Sequence, residues 1–364
     1  MTTSDFDAYR APQPERRRRS GDAPKRRPGG DTSGAREMSM VEDVEFSSYY
    51  GRPIVKAPPW KHEIGLYLFL GGVAGGSSLL AAGAQLTGRK RLRRNTRLTA
   101  LVAVTGGAAA LVADLGRPER FLNMMRTVKV TSPMSLGSWI LAGFATLTAI
   151  PAVAEVDRLT LRRLLPLPKF LRKTIHAVTP AAGIGSAVLG APLAVYTATL
   201  FSATANPVWN AARKHLPYVF VSSASLAASG LAMLTTTRKQ TKPARILAMM
   251  GVAGDLVAMR AMKTSMHPLE REPLETGEPG KMLHLSEILA IAGGIGSIFA
   301  GRSRLVAALS GLSLAGASVL TRFGVLEAGI ESTHDPKYVI EPQKARLEAR
   351  RAAGIVDDSI TTAG

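Results

Sequence analysis

The stretch YLFLGGVAGGSSLLAAGAQL, residues 67–86, contains no charged residue. An α-helix of about 20 apolar residues crosses a lipid hydrocarbon core about 30 Å thick. The stretch also holds two overlapping GxxxG pairs, Gly71 with Gly75 and Gly72 with Gly76, at which helix backbones can approach closely. It therefore predicts a transmembrane helix, over about 62–86, that packs tightly on other helices.

Further stretches have the same apolar character, and Ala and Gly dominate all of them. Their approximate bounds, after 62–86, are 97–114, 134–155, 175–201, 215–236, 244–263, 284–301 and 303–324. A soluble all-α protein with loosely packed small residues is the alternative, but it would need buried helices with no amphipathic face. The sequence therefore predicts an all-α integral membrane protein with eight transmembrane helices.

The ends of the chain differ from its middle. Residues 1–57, which include RRRRSGDAPKRRPGGDTSG, are rich in Arg, Pro, Gly and Ser. Such a segment cannot bury enough apolar surface to offset its ordering entropy, so it is predicted to be disordered. It does not resemble a signal peptide, because no apolar run follows the arginines before residue 60. We divide the chain into this basic N-terminal tail, a membrane domain (58–330) and a polar C-terminal tail (331–364).

The net charge of +19 and the lack of cysteine limit the function classes. The basic residues concentrate in the tail and in short loops, without the interleaved aromatic residues that stack on bases, so no nucleic-acid partner is expected. A chain without Cys has no disulfide framework and no Cys-ligated iron–sulfur cluster. A redox cofactor of that kind would therefore belong to a partner.

Loop charges predict the orientation of the chain in the lipid bilayer. Lys and Arg are abundant in the first, third, fifth and seventh loops, which read GRKRLRRNTR, RLTLRRLLPLPKFLRK, TTRKQTKPAR and GRSR. The even-numbered loops carry fewer, and loops rich in Lys and Arg stay in the cytoplasm. Most arginines of the N-terminal tail lie too far from the first span to count in this rule. We expect a multi-pass protein of the plasma membrane with both termini outside.

A charged, rigid corner, ADLGRPERFLNMM (113–125), interrupts the apolar pattern and is followed by SPMSLGSW (132–139). Asp114 ends the second span, and the Gly and Pro that follow it terminate the helix. Arg117 and Arg120 can form a local salt bridge with the neighbouring acids, which would make the corner only a capped helix end. Alternatively, they can face an anionic partner.

Several stretches resemble the NrfD/polysulfide reductase membrane-subunit family, and they run in the family's order. They are YLFLGGVAGGSSLL (67–80), DLGRPERF (114–121), SPMSLGSWIL (132–141), PLAVYTATLFSATANPVW (192–209), LPYVFVSSASLAASG (216–230) and TRFGVLEAGIESTHDPKY (321–338). The resemblance implies two four-helix bundles without haem or metal. It further implies electron exchange between the membrane quinone pool (menaquinone or another quinone) and an iron–sulfur, ferredoxin-like subunit. That partner serves a catalytic subunit, often a molybdopterin enzyme, so this chain is expected to be a non-catalytic electron-transfer and membrane-anchor subunit.

The resemblance also implies a quinone site at the corner. The candidate quinone-binding residues are Tyr67, Asp114, Arg117, Trp139 and His62. Some family members have a His where this chain has Tyr67; a Tyr can donate a hydrogen bond, but its pKa of about 10 makes it a poor proton shuttle. His62 or Glu63 could take that role instead, and Trp139 could equally be a residue of the interfacial aromatic belt.

Ionisable side chains inside the spans indicate function, because burying them in lipid is costly. Asp255 and Arg260 fall in the sixth span and Glu287 in the seventh. The candidates for proton transfer are Glu63, Asp114, Asp255 and Glu287. Two structural alternatives remain: Asp255 and Arg260 could form a buried pair, and Glu63 and Glu287 could reach the interface from nearby span ends.

Two other functions fit parts of the pattern. An ion- or solute-translocating subunit without redox chemistry would use Asp255, Arg260 and Glu287, with Pro192 permitting an unwound helix. A haem-bearing cytochrome b-type anchor would need axial ligands that face each other inside the bundle. The six His residues lie near span starts, in a loop or in the tail, so we expect neither haem nor metal in this chain.

Overall fold

The computed structural model of the chain describes residues 53–115, 117, 119, 121–160 and 168–354. The N-terminal tail predicted to be disordered is 1–57, and its residues 1–52 lie outside the described residues. Gly116, Pro118 and Arg120 of the corner lie outside them as well.

Within the described part the chain is helical and contains no β-strand. In chain order the α-helices are α1 (His62–Leu86), α2 (Lys90–Asp114), α3 (Phe121–Met124), α4 (Pro133–Leu159), α5 (Lys169–Ser202), α6 (Pro207–Ala211), α7 (Leu216–Thr235), α8 (Lys242–Ser265), α9 (Pro268–Glu275), α10 (Gly277–Phe299), α11 (Arg304–Glu331) and α12 (Lys337–Ala352). Three of them, α4, α6 and α9, begin at a side-chain cap followed by proline, a combination that favours helix starts. The Ser132 side chain accepts a hydrogen bond from the Ser135 N–H ahead of α4, and Asn206 accepts one from the Trp209 N–H ahead of α6.

Among the described residues, seven helices are long and apolar enough to cross a membrane: α1, α2, α4, α5, α7, α10 and α11. The sequence predicted eight spans. The remaining one, 244–263, coincides with α8, which is helical but is not among the seven. Its charged residues are Lys242, Arg245, Asp255, Arg260 and Lys263. The chain is therefore a multi-pass helical membrane protein, and seven of its described helices have the length and apolar composition of membrane spans.

Several helices extend beyond their predicted ends; α5, for example, begins at Lys169 instead of 175. α2 begins at Lys90 instead of 97, α10 begins at Gly277 instead of 284, and α11 continues to Glu331 instead of 324. The additional turns are polar or Gly-rich, which made them resemble loops. Because α10 begins at Gly277, Glu287 lies in the middle of the helix, and its predicted position near the end of a span is wrong.

Helix packing follows two rings of contacts. In one ring α1 packs on α2 and α5, and α4 packs on the same two helices. In the other ring α7 packs on α8 and α11, and α10 packs on those two helices. Contacts of α1 with α7 and α11, and of α5 with α7, join the two rings.

The glycines of the first span allow these close contacts. A Cβ at Gly76 would lie 2.7 Å from the Ala228 Cβ of α7, and one at Gly75 would clash with the Gly190 carbonyl of α5. A Cβ at Gly72 would lie 3.3 Å from Ala224 of α7, whereas Gly71 has open space around it. The predicted close approach is confirmed at three of the four glycines, because α1 lies between α5 and α7.

The long helices alternate in direction, so the membrane domain has two ends. The Trp209 face holds the starts of α1, α4, α7 and α10 and the ends of α2, α5, α8 and α11. There the Trp209 ring stacks on Trp60 at 5.4 Å and on Phe201 at 4.2 Å between ring centroids. Its Nε1 donates a hydrogen bond to the Val325 carbonyl at 2.8 Å. The opposite end, the Arg97 face, holds the ends of α1, α4, α7 and α10 and the starts of α2, α5, α8 and α11.

Candidate functional site

A pair of tyrosines lies where α1, α2, α4 and α5 meet. Tyr67 of α1 is 4% exposed, and its hydroxyl is hydrogen-bonded to the hydroxyl of Tyr196 of α5. A Cβ at Gly107 of α2 would lie 3.4 Å from the Tyr67 ring, and the Tyr196 ring packs directly on Gly137 of α4. The two glycines leave the space that the rings fill, so helix packing holds the pair in place.

Two carboxyl groups lie closer to the Trp209 face than the tyrosine pair does, at the start of α1 and the end of α2. Glu63 is half-buried one helical turn before Tyr67, and its Oε2 is buried with no hydrogen-bond partner among the described residues. Asp114, the last residue of α2, is half-buried and interacts electrostatically with Glu63 and Lys61. Repulsion between neighbouring carboxylates is relieved when one of them takes up a proton. This arrangement is suited to holding and releasing a proton.

The other three candidate quinone-binding residues lie at the surface of the same face. His62 and Arg117 are exposed. Trp139 is 40% exposed, and its Nε1 donates a hydrogen bond to the Thr127 carbonyl at 3.3 Å, in the connection between α2 and α4. Among the described residues Asp114 forms no salt bridge with Arg117, so the local salt bridge, one of the two alternatives for the corner, is not found between these two groups.

Tyr196 is a site residue that sequence reasoning missed. It lies in PLAVYTATLF (192–201), inside a predicted span. Buried tyrosine hydroxyls usually find a hydrogen-bond partner, so a Tyr within an apolar span is a usable signal. The identity of that partner depends on which helices are neighbours, which the sequence does not state.

Asp255 and Glu287 do not join the tyrosine site. They lie on α8 and α10 and, with Arg260, line a separate cavity. Asp255 is 4% exposed, whereas Arg260 and Glu287 are exposed. Asp255 and Arg260 therefore do not form the buried pair that was one structural alternative for them. The basic residue that interacts electrostatically with Asp255 is Arg322 of α11.

Arg322 is completely buried, and sequence reasoning overlooked it. Its Nε donates a hydrogen bond to Ser223 Oγ at 3.2 Å, and its Nη2 donates one to the Phe220 carbonyl at 2.6 Å. Its guanidinium carbon lies 4.0 Å from the centroid of the Phe220 ring, a cation–π contact. The remaining Nη1 is buried without a hydrogen-bond partner in the part of the chain described. A lone Arg in GASVLTRFGV (316–325) is the signal that could have found it.

Ionic contacts at the Arg97 face join the helices of the first ring. The Arg97 Nη1 of α2 lies 2.7 Å from the Glu155 Oε1 of α4, and both side chains are buried. Asp157 of α4 pairs with Arg172 of α5 at 3.2 Å and with His176 of α5 at 3.0 Å. Each buried carboxylate has at least one arginine partner on a neighbouring helix, so these contacts fix helix positions.

The chemistry available at the tyrosine site is hydrogen bonding and proton exchange. Tyrosine hydroxyls can donate to a carbonyl oxygen or accept from a hydroxyl group, and carboxyl groups can take up or release a proton. No group of three or more His, Cys, Asp or Glu side chains among the described residues is arranged to hold a metal ion.

In the part of the chain that the structure describes, several helices long and apolar enough to cross a membrane place hydroxyl and carboxyl groups toward one end, as in an integral membrane protein with a polar site. The sequence profile of the family described as polysulphide reductase, NrfD, matches residues 54–331. The chain therefore belongs to the NrfD family, as its motifs predicted. Proteins of this family are membrane subunits of quinone-linked oxidoreductase complexes that contain iron–sulfur and catalytic subunits. No curated protein matches this chain in sequence.

Proposed function

We propose that the chain is the quinone-reactive membrane subunit of an oxidoreductase complex. It passes electrons between menaquinone, or another quinone, and an iron–sulfur partner subunit, which serves a catalytic subunit of the molybdopterin class. The observation that carries this proposal is the grouping of Tyr67, Tyr196, Glu63 and Asp114 within one ring of helices, in a chain of the NrfD family.

When a quinone is reduced to a quinol it takes up two electrons, and each of its two carbonyl oxygens gains a proton. In the proposed site Tyr67 donates a hydrogen bond to a quinone oxygen, while Asp114, next to Glu63, holds and delivers a proton. The electrons come from the partner, because a chain without cysteine cannot itself ligate a thiolate-bound cluster. His62, Arg117 and Trp139 lie at the surface of the same face, where they can contact the quinone head group on entry or the partner subunit.

We also propose that α8 is the eighth span and that the two contact rings are two four-helix bundles. α8 has 24 residues, which at 1.5 Å per residue is about 36 Å, longer than the apolar core of a bilayer. Asp255, in the middle of α8, is buried in the protein and does not face lipid, so it is compatible with a membrane-spanning helix.

The proposed orientation places the Trp209 face outside the plasma membrane, together with both termini. The connections at the Arg97 face and the helix ends that adjoin them are rich in basic residues, as cytoplasmic loops and their flanks are. Those residues include Arg89, Lys90, Arg91, Arg93, Arg94, Arg238, Lys239, Lys242, Arg302 and Arg304. The tyrosine site then opens toward the outer side, where the iron–sulfur partner docks.

The proposal is tested by quinone binding to the purified full-length chain. A short-tailed menaquinone analogue is titrated into the detergent-solubilised protein while the fluorescence of its three tryptophans is followed. Loss of one hydrogen bond costs about 1 kcal/mol, so Tyr67→Phe should weaken binding roughly five- to tenfold. Tyr218→Phe is the control, because Tyr218 is 65% exposed on α7 and should leave affinity unchanged. If wild-type protein shows no saturable quenching, the quinone proposal fails and the ion- or solute-translocating alternative takes its place.

A further inference from the structure

A second polar region lies in the other ring of helices, apart from the tyrosine site. A cavity of about 480 Å³ lies between α8, α9 and α10. It extends from Arg271 and Glu275 of α9, at the Trp209 face, to Asp255 and Ser286. Asp255 is ten residues before the end of α8, about 15 Å along a helix, which is close to half of a bilayer core.

The inner end of the cavity holds one buried carboxylate oxygen that lacks a partner within the described ranges, and a buried guanidinium lies behind it. Asp255 is 4% exposed, and its Oδ1 is buried with no hydrogen-bond partner in the described part of the chain. Arg322 interacts with it electrostatically from α11, and the Nη1 of Arg322 is likewise unpaired among the residues described. Ser286 is already hydrogen-bonded to Thr321 Oγ1 at 2.7 Å and to the Ala317 carbonyl at 2.8 Å. Buried polar atoms in protein interiors are normally satisfied by protein or by water.

We propose that this cavity is a water-filled inlet through which protons from the Trp209 face reach Asp255. At about 30 Å³ per water molecule, the cavity has room for on the order of ten waters. Water would supply the missing hydrogen bonds to Asp255. Charged residues within membrane-spanning helices face the protein interior or an aqueous cavity, and the walls of this cavity are charged.

The charges around Asp255 favour a proton over a metal cation as the group that is bound. The groups that face the cavity are Glu287 of α10, Arg260 and Lys263 of α8, and Arg271 and Glu275 of α9, with Arg322 of α11 behind Asp255. A metal ion at Asp255 would need several oxygen ligands and would meet the positive charge of Arg322. A proton needs only the carboxylate. The inference concerns a site separate from quinone chemistry and does not depend on it.

Water in the inlet can be detected with introduced cysteines, because the natural chain contains none. Met259→Cys places a thiol on the cavity wall, one turn from Asp255. Val257→Cys is the control on the same helix; Val257 is 69% exposed but does not line the cavity. A charged, membrane-impermeant methanethiosulfonate reacts with a thiolate, which forms a disulfide with the reagent sulfur and expels a sulfinate. Thiolate forms readily only where water is present.

In lipid vesicles that hold the full-length protein, Met259→Cys should react at least about tenfold faster than Val257→Cys when the reagent is on the side of the Trp209 face. Equal rates, or no reaction at Met259→Cys, would overturn the inlet. Labelling depends on water alone, so its result is independent of whether the chain binds quinone.

Proton exchange at Asp255 is measured by infrared difference spectroscopy of the same vesicles between two pH values. The carbonyl band of a protonated carboxyl group should appear on acidification, shift in D₂O and be missing from Asp255→Asn. Glu278→Gln should leave the band intact, because the Glu278 side chain is 72% exposed at the start of α10. A spectrum of Asp255→Asn identical to that of the wild type would show that Asp255 does not exchange protons, and the proposal would then be wrong.

Discussion

Tyr67 and Tyr196 together carry two hydroxyl protons, and only one of them is used in the hydrogen bond between the two side chains. The second proton can be donated to another acceptor. Glu63, one turn away on α1, has a buried oxygen without a partner among the described residues and is one such acceptor. A quinone oxygen would be another. The pair therefore has the one free donor that a quinone ligand needs, although a tyrosine stands where some family members have a histidine.

At Asp114 the proposal predicts a loss of quinone-linked turnover without loss of assembly. Asp114→Asn keeps the size and hydrogen-bonding capacity of the side chain but cannot transfer a proton. General acid–base groups typically contribute about 10²- to 10⁴-fold in rate, and we expect a decrease toward the lower end because Glu63 remains nearby. Turnover with quinone is measured in membranes that contain the native complex, and assembly is measured by co-purification of the partner subunits.

Glu119→Gln is the matched control for this experiment, because Glu119 is an exposed acid in the same connection. Full turnover in an assembled Asp114→Asn complex would show that Asp114 only ends the helix. Failure of that variant to assemble would show that its role is structural.

At the scale of helices, α1 is the central element of the membrane domain. It contacts α2 and α5 of one ring and α7 and α11 of the other. Gly75 faces α5, whereas Gly72 and Gly76 face α7. Close backbone approach supplies van der Waals contact in lipid, where no hydrophobic effect drives helices together. Through its small residues α1 therefore packs closely on a helix of its own ring and on a helix of the other ring.

Gly75→Ala should destabilise the membrane domain by about 1–3 kcal/mol, the usual cost of overpacking. The new Cβ would clash with the carbonyl oxygen of Gly190, and backbone cannot move aside as a flexible side chain can. Gly71→Ala is the matched control, since a Cβ there has nothing within 4 Å. Thermal unfolding of the detergent-solubilised protein, followed by circular dichroism, measures both. Equal melting temperatures for the two variants would contradict the assigned packing of α1.

Sequence patterning predicted the long helices but not all of their ends or partners. Apolar runs predict the part of a helix that lies in lipid. They do not predict polar turns that extend a helix beyond the lipid, such as those that begin α10 at Gly277. Tyr67 and Asp114 were found because they lie in motifs of the family. Arg322 was overlooked because a lone Arg in a span can extend to the interface, be buried, or end the helix. Arg322 is buried because Ser223 and the Phe220 carbonyl of α7 accept its hydrogen bonds, and the sequence does not show that α7 is its neighbour.

At the scale of the whole molecule, the two proposed sites lie toward one end, and the buried ion pairs with the basic connections lie at the other. The tyrosine site and the mouth of the cavity are both on the side of the Trp209 face. The Arg97 face contributes buried ion pairs such as Arg97 with Glu155, and its connections are rich in Lys and Arg. Both proposed sites would therefore exchange protons with the same aqueous compartment, and the orientation of the chain decides which compartment that is.

The orientation predicts the activity of reporters fused after truncation at defined connections. Fusions at Lys239 and at Gly301, between α7 and α8 and between α10 and α11, should place a reporter in the cytoplasm. A fusion at Thr276, between α9 and α10, should place it outside. Alkaline phosphatase folds only where disulfides form, so it should be active at Thr276 and inactive at the other two positions. Green fluorescent protein should give the opposite pattern. Reversed activities would move the quinone site and the inlet to the cytoplasmic side, and equal activity at Lys239 and Thr276 would show that α8 does not cross the membrane.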